Sequence, residues 1–325
     1  MIVYECRAST ILYNLMAVCR LPGPVLLPAN VCPIVPITLH KAGRRFEFVD
    51  ISPITLSMDH EKVLERWSAA KERPAGLVYV RSFGAVFDTV ALFREIKRLA
   101  PEACIIDDRC ICAPSFDSGN LLDNVDAVLY STGYAKYVDI GFGGYAILKD
   151  DICYRGAELA YDQRDLEALT IQYKKSLSER QKFLYTNSDW LDSSMPRMEW
   201  SAYRKMVEAH ALQASEIKRE INYIYSSRLP RSIQLPSAFQ SWRFNIHVAN
   251  KDMILNVIQE SGLFASGHYE ALDGLFGDGS GANARMLHRH IINLFNDGYF
   301  DSEKAKCLAD VIVNSNNFAQ SPLEI

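Results

Sequence analysis

Short apolar runs alternate with helical patterns from the start of the chain to Asp150. The runs are Val25–Leu27, Phe46–Val49, Leu77–Val80, Ala103–Ile106 and Val125–Tyr130, nearly continuous apart from Glu47 and Asp126. Between them, apolar residues recur at helical spacing. The first such face is Ile11, Leu12, Leu15, Met16 and Val18, opened by Ser9 and Thr10 as candidate N-caps. Asn30–Leu39 reads as the second helix, ended by Gly43. Val63, Leu64 and Trp67 form a third face, capped by Ser57 or Asp59. Leu92, Phe93, Ile96, Leu99 and Ala100 form a fourth, capped by Asp88 and stopped by Pro101. Nearly continuous apolar strands alternating with helices predict an α/β fold, with a parallel sheet covered on both faces. In such sheets the ligand lies beyond the carboxyl ends of the strands.

After Asp150 the pattern changes. Asp151–Leu191 is charged and helical without a clear strand, and Met198–Ser226 is a long helical stretch. Ser241–Val248 and Leu263–Tyr269 read as strands, with helices at Asp252–Ser261 and Ser302–Val313. This predicts a large α/β domain over residues 1–190, a long connecting helix over 191–228 and a small α+β domain over 229–325. The Gly-rich segment Gly274–Ala284 lacks the Lys-Ser/Thr ending of a phosphate loop and reads as a flexible connection.

Composition narrows the function classes. The chain has 325 residues and a net charge of −4, with no basic run, so a nucleic-acid surface is not expected. The eight cysteines are scattered without a Cys-x-x-Cys pair, which suits reduced thiols and a cytoplasmic protein. Cys110-x-Cys112 is a weak metal signal, and His288-x-His290 would point to different faces of a helix, so no metal is expected. The first residues show no signal peptide. The longest apolar stretch, Val25–Leu39, is cut by Pro28, Pro33 and Pro36, so no membrane span is expected.

The stretch Ala127–Leu148 carries the candidate chemistry. It reads as a strand (Ala127–Tyr130), an exposed turn (Ser131–Gly144) and a second strand (Tyr145–Leu148). Lys136 sits in that turn, with Ser131 before it and Gly141, Gly143 and Gly144 after it. A lysine held this way can be aimed into a cleft, where desolvation favours the neutral, nucleophilic amine. Asp107 and Asp108 stand at the end of the Ala103–Ile106 run, and only one of two successive strand side chains can face a given ligand.

Together these pieces resemble the fold-type-I pyridoxal 5′-phosphate (PLP) enzymes, and among them the DegT/StrS-type sugar aminotransferases. The resemblance covers Arg7 to Asp150 and is carried by VLLPANVCPIVPITLHKAGRRFEFVDI, VRSFGAVFD, IIDDRC and STGYAK…GFGG. It implies an aspartate aminotransferase-like fold, with a mostly parallel seven-stranded sheet between helices. It implies that Lys136 is the Schiff-base lysine and general acid/base, and that Asp108 keeps the pyridine nitrogen protonated. Ser131, with Ser9 and Thr10 at the helix start, would hold the phosphate. Cys32 stands where an aromatic ring commonly covers the cofactor, and Arg81, where a histidine is frequent, is a candidate substrate contact. His268 and Tyr269 match a His-Tyr pair near the substrate. The family's Gln or His three residues after the pyridine aspartate is here Ile111, and its N-terminal arm is almost absent. The implied activity is transfer of an amino group from a small-molecule donor such as glutamate to a nucleotide-linked keto-sugar, by a homodimer. The alternatives are a different PLP reaction, or a PLP-fold protein with a binding or regulatory role.

Overall fold

The computed structural model describes residues 1–19, 22–69, 72–117, 124–277 and 279–315. The strands β1 (Ile2–Glu5), β2 (Val25–Pro28), β3 (Phe46–Val49), β4 (Gly76–Val80), β5 (Cys104–Asp108), β6 (Ala127–Ser131) and β7 (Gly144–Leu148) form one sheet. Its order is β1-β7-β6-β5-β4-β2-β3. The five strands from β3 to β6 run parallel, while β7 is antiparallel to both of its neighbours, β6 and the edge strand β1. This is the expected mostly parallel seven-stranded sheet.

Both faces are covered. On one face, Leu12 and Leu15 of α1 (Ala8–Val18) and Val35 and Leu39 of α2 (Ile34–Lys41) pack with Leu27, Val78 and Leu129 of the sheet. On the other, Val63 and Trp67 of α3 (His60–Ala69) and Phe93 and Ile96 of α4 (Val90–Leu99) pack with Leu77, Ile105 and Val128. The sequence periodicity of these helices is therefore the periodicity of their buried faces.

Several local expectations change. β1 was not foreseen, because four residues at a sheet margin carry no turn signal or clear alternation. The second helix starts at Ile34, not Asn30. The turn before it is held by a Val31 N–H bond to the Pro28 carbonyl and by the Asn30 amide bonding the Leu56 carbonyl. Asp59, not Ser57, accepts the first amides of α3, those of Glu61 and Lys62. Ser9 and Thr10 do not cap α1: its N-cap is Arg7, and no side chain bonds there. Within the charged region 151–191 the helix is confined to α5 (Gln163–Glu179), capped by the Asp162 carboxylate.

The long helix α6 runs from Trp200 to Arg228, so it begins later than residue 191. Tyr203 and Val207 near its start pack on the large sheet, whereas Ile221 and Tyr225 belong to a separate core. That second core lies over a three-stranded antiparallel sheet of β8 (Phe244–His247), β9 (Ala265–Gly267) and β10 (Ile291–Leu294), in the order β8-β10-β9. α7 (Lys251–Glu260) and α9 (Ser302–Asn314) complete it. α8 (Ala282–His290) and β10 escape sequence reading because helix passes into strand at His290–Ile291 with no turn residue between them. The end of the Gly-rich segment is anchored rather than free. The Asp273 carboxylate accepts the Gly281 amide, and the buried Asp50 carboxylate accepts those of Asn283 and Ala284.

Candidate active site

A cavity of about 260 Å³ opens where the parallel strands end. Val80 of β4, Asp108 of β5 and Leu129 of β6 line it, and sheet register places them side by side. Asn30, Val31 and Cys32 enter from the turn after β2, and Arg7, Ala8, Ser9 and Leu12 from the start of α1. Trp242, His268 and Tyr269 come from beyond α6. The location follows the general rule for sheets of this type.

Strand alternation resolves the acid pair. Asp108 shares the Val80–Leu129 row and faces the cavity; it is 5% exposed. Asp107 shares the row of Tyr79 and Val128, which pack into the core on the opposite face. Its carboxylate is bound by Arg81 (Nε to Oδ1, 2.6 Å; Nη2 to Oδ2, 3.0 Å) and by Arg109 (Nε to Oδ2, 2.9 Å). Asp108 Oδ1 accepts the Cys110 amide at 2.9 Å. Burial pushes the Asp108 carboxyl pKa up, while the bonds from Cys110 and the positive charge of Lys136 draw it back.

Lys136 lies in the loop between β6 and β7 and also lines the cavity. The loop is braced at several points. Thr132 Oγ1 donates to the Phe142 carbonyl at 2.7 Å, and Asp139 accepts the amides of Ala135 (2.9 Å) and Gly141 (3.1 Å). Ala135, immediately before the lysine, has φ 57°, in the left-handed region that a residue with a Cβ adopts at a cost of about 1–2 kcal/mol. Its carbonyl is held by the Trp242 indole Nε1 at 2.7 Å, and the Trp242 carbonyl accepts Lys218 Nζ of α6 at 2.8 Å. Gly144 is required for another reason. A Cβ there would stand 2.5 Å from the Ala8 nitrogen, so only glycine lets the start of α1 approach β7.

The other expected site residues divide. Ser131, Ser9, Cys32, His268 and Tyr269 line the cavity. Thr10 does not: it is fully buried and its hydroxyl donates to the Asp192 carbonyl at 2.7 Å. Arg81 does not either. It is 2% exposed, and besides Asp107 it bonds the Phe87 carbonyl and Thr89 Oγ1, so the substrate contact expected of it is excluded by burial. Cys32 and Tyr269 meet within hydrogen-bonding reach, and the neighbouring Cys32 sulfur, with the partial desolvation of the hydroxyl, raises the Tyr269 phenol pKa. Ile111 lines the cavity as an apolar wall. Arg7, Asn30 and Trp242 are additions that sequence reading passed over. Of these, Arg7 was visible as a charge directly before the Ser-Thr helix start. Among the described residues no group of three or more His, Cys, Asp or Glu side chains could hold a metal ion, and all eight cysteines are free thiols.

His268 is 7% exposed, its Nδ1 has no hydrogen-bond partner, and its ring lies 4.5 Å from that of Phe83. Burial, with the charges of His288 and Lys251, lowers its pKa from 6.5 to about 3. Between those values the unfolded chain binds a proton that the folded chain does not. Stability is therefore expected to fall as pH drops through that interval, by up to about 1.4 kcal/mol per pH unit from this group. Urea midpoints measured from about pH 7 to about pH 4 should show a flatter decline for His268→Gln than for the wild type.

No family profile matches the sequence, and no curated protein matches it. Solved structures do match over nearly the whole chain. A DegT/DnrJ/EryC1/StrS aminotransferase from Brucella abortus shares 18% identity at TM-score 0.68, over 97% of this chain and 85% of that one. The sugar aminotransferase CalS13 from Micromonospora echinospora shares 18% identity at TM-score 0.68, over 97% and 87%. The putative sugar aminotransferase Spr1654 from Streptococcus pneumoniae, in its PLP form, shares 15% at TM-score 0.65, over 96% and 86%. The fold is that of the fold-type-I PLP transferases. Within this PLP-transferase fold the residues present fit the cofactor. A buried carboxylate, Asp108, lines the cavity with its Oδ1 held by the Cys110 amide, and Lys136 makes no hydrogen bond or ion pair among the described residues. Ser131, Ser9 and the first amides of α1 supply neutral donors suited to a phosphate.

Proposed function

We propose that this protein is a PLP-dependent aminotransferase that moves an amino group from a donor such as glutamate to a nucleotide-linked keto-sugar, working as a cytoplasmic homodimer. The observation that carries the reading is the meeting of Asp108 and Lys136 in one cavity at the carboxyl ends of the strands. Bound PLP supplies an electron sink for exchanging an amino group between donor and keto acceptor. Asp108 would accept a hydrogen bond from a protonated ring nitrogen, and its burial would strengthen that bond. Lys136 would hold the aldehyde and then carry a proton at its Nζ. Ser131 and Ser9 would orient the phosphate, and Trp242, His268 and Tyr269 would close the cavity from the far side. The sugar acceptor is supported by the likeness to the sugar aminotransferase CalS13. Among the described residues no helix is long and apolar enough to cross a membrane.

Purified protein mixed with PLP should develop a visible absorbance band. Adding glutamate should remove the band and release an equal amount of α-ketoglutarate. A band that glutamate leaves unchanged would refute glutamate as donor. If no amino acid changed it, the binding or regulatory reading would replace catalysis.

A further inference from the structure

Arg7 ends β1's approach to α1 and serves as the N-cap of that helix in an extended conformation (φ −144°, ψ 143°). Its side chain lines the cavity together with Ser9, Ser131 and Gly133. The guanidinium makes one protein hydrogen bond, from Nη1 to the Gly141 carbonyl at 3.3 Å, and no ion pair among the described residues. The charge of Arg7 lowers the pKa of Asp192, but that carboxylate is turned to Ser194, bonding its amide and hydroxyl. Gly133 locates the guanidinium relative to the serine. A Cβ built on Gly133 would lie 3.7 Å from Ser131 Oγ and 3.8 Å from Arg7 Nη1. Both donors thus flank one volume that the missing side chain leaves open.

We infer that Arg7 is the cationic ligand of the cofactor phosphate, acting beside Ser131, Ser9 and the α1 amides; the inference rests on the PLP reading above. A phosphate monoester carries about −1.5 to −2 charges near neutral pH. Helix amides and hydroxyls answer that with partial charges only, whereas a guanidinium adds a full charge and a fork of donors matched to phosphate oxygens. The remaining N–H groups of Arg7 are free to serve. Thr10, removed from the site by its bond to Asp192, leaves the role to Arg7. A bland bracing of the Gly141 turn predicts something different: loss of Arg7 would then disturb the aldehyde and phosphate ends alike.

The test is an equilibrium titration, followed by the visible band, of PLP and of pyridoxal, which keeps the aldehyde and has no phosphate. Wild type, Arg7→Met and Arg7→Lys are compared. Arg7→Met should weaken PLP by about 10- to 100-fold while changing pyridoxal less than about twofold, and Arg7→Lys should recover part of the loss. Unchanged PLP affinity in Arg7→Met, or equal losses for both ligands, overturns the role of Arg7 and leaves the cofactor reading standing. A wild type that forms no band with PLP overturns both.

Discussion

Lys136→Ala is expected to abolish the visible band formed with PLP and to lower transamination by at least about 10³-fold, with little change in stability. The asymmetry follows from what Lys136 touches. It makes no hydrogen bond or ion pair among the described residues, so its removal breaks none and withdraws only a longer-range charge from Asp108. The loop that carries it is held by other groups. Asp139 and Trp242 fix the amide and carbonyl of Ala135, and Thr132 pins Phe142. An alanine at 136 inherits that backbone unchanged. Spectral titration with PLP, an α-ketoglutarate assay and a urea midpoint measure the three effects separately. A retained band would place the Schiff base on a different lysine.

The second large effect is on stability and falls on Asp107, the neighbour of the acid that faces the cavity. Asp107→Asn should destabilise the fold by about 3–5 kcal/mol, because it leaves Arg81 charged and buried without its carboxylate. Arg81 and Asp107 side chains are 3% and 2% exposed, so water cannot substitute. Asp108→Asn should behave in the opposite way. An asparagine oxygen can still accept the Cys110 amide, and the change removes a carboxylate whose ionisation burial already opposes. Its stability should stay within about 1 kcal/mol of wild type, while PLP binding weakens and turnover collapses. Urea denaturation with an unchanged slope, beside PLP titration, checks both variants. Equal stability losses at 107 and 108 would contradict the assignment of the two residues to opposite faces.

Much of the large sheet was legible because its strands are buried on both sides. Val25–Pro28 and Gly76–Val80 are unbroken apolar runs for that reason, whereas the edge strand Phe46–Val49 carries the charged Glu47. The Lys136 loop was legible as a polar turn between two such runs, and it stands at the predicted place between β6 and β7. The misreadings have a common origin. Arg81 and Thr10 are polar residues near a strand end and a helix start, positions that also suit ligands. In the folded chain they serve partners 26 and 182 positions away, Asp107 and Asp192. A sequence pattern reports which face a residue occupies within its own element. It does not report which distant chain segment is packed against that face.

By itself the sequence determined the α/β order up to Asp150, the strand-loop-strand unit bearing Lys136 and the presence of an acid pair one strand away. Local periodicity and turn chemistry suffice for these, since each depends on neighbours in the chain. Tertiary structure decided which acid faces the cavity, because sheet register sets Asp108 beside Val80 and Leu129 while Asp107 turns to Arg81. It also decided that Trp242, more than a hundred residues away, holds the carbonyl before the lysine, and that Arg7 reaches the volume beside Gly133. Such contacts are made across the sheet edge after the chain has folded back on itself, and no period in the linear pattern encodes them.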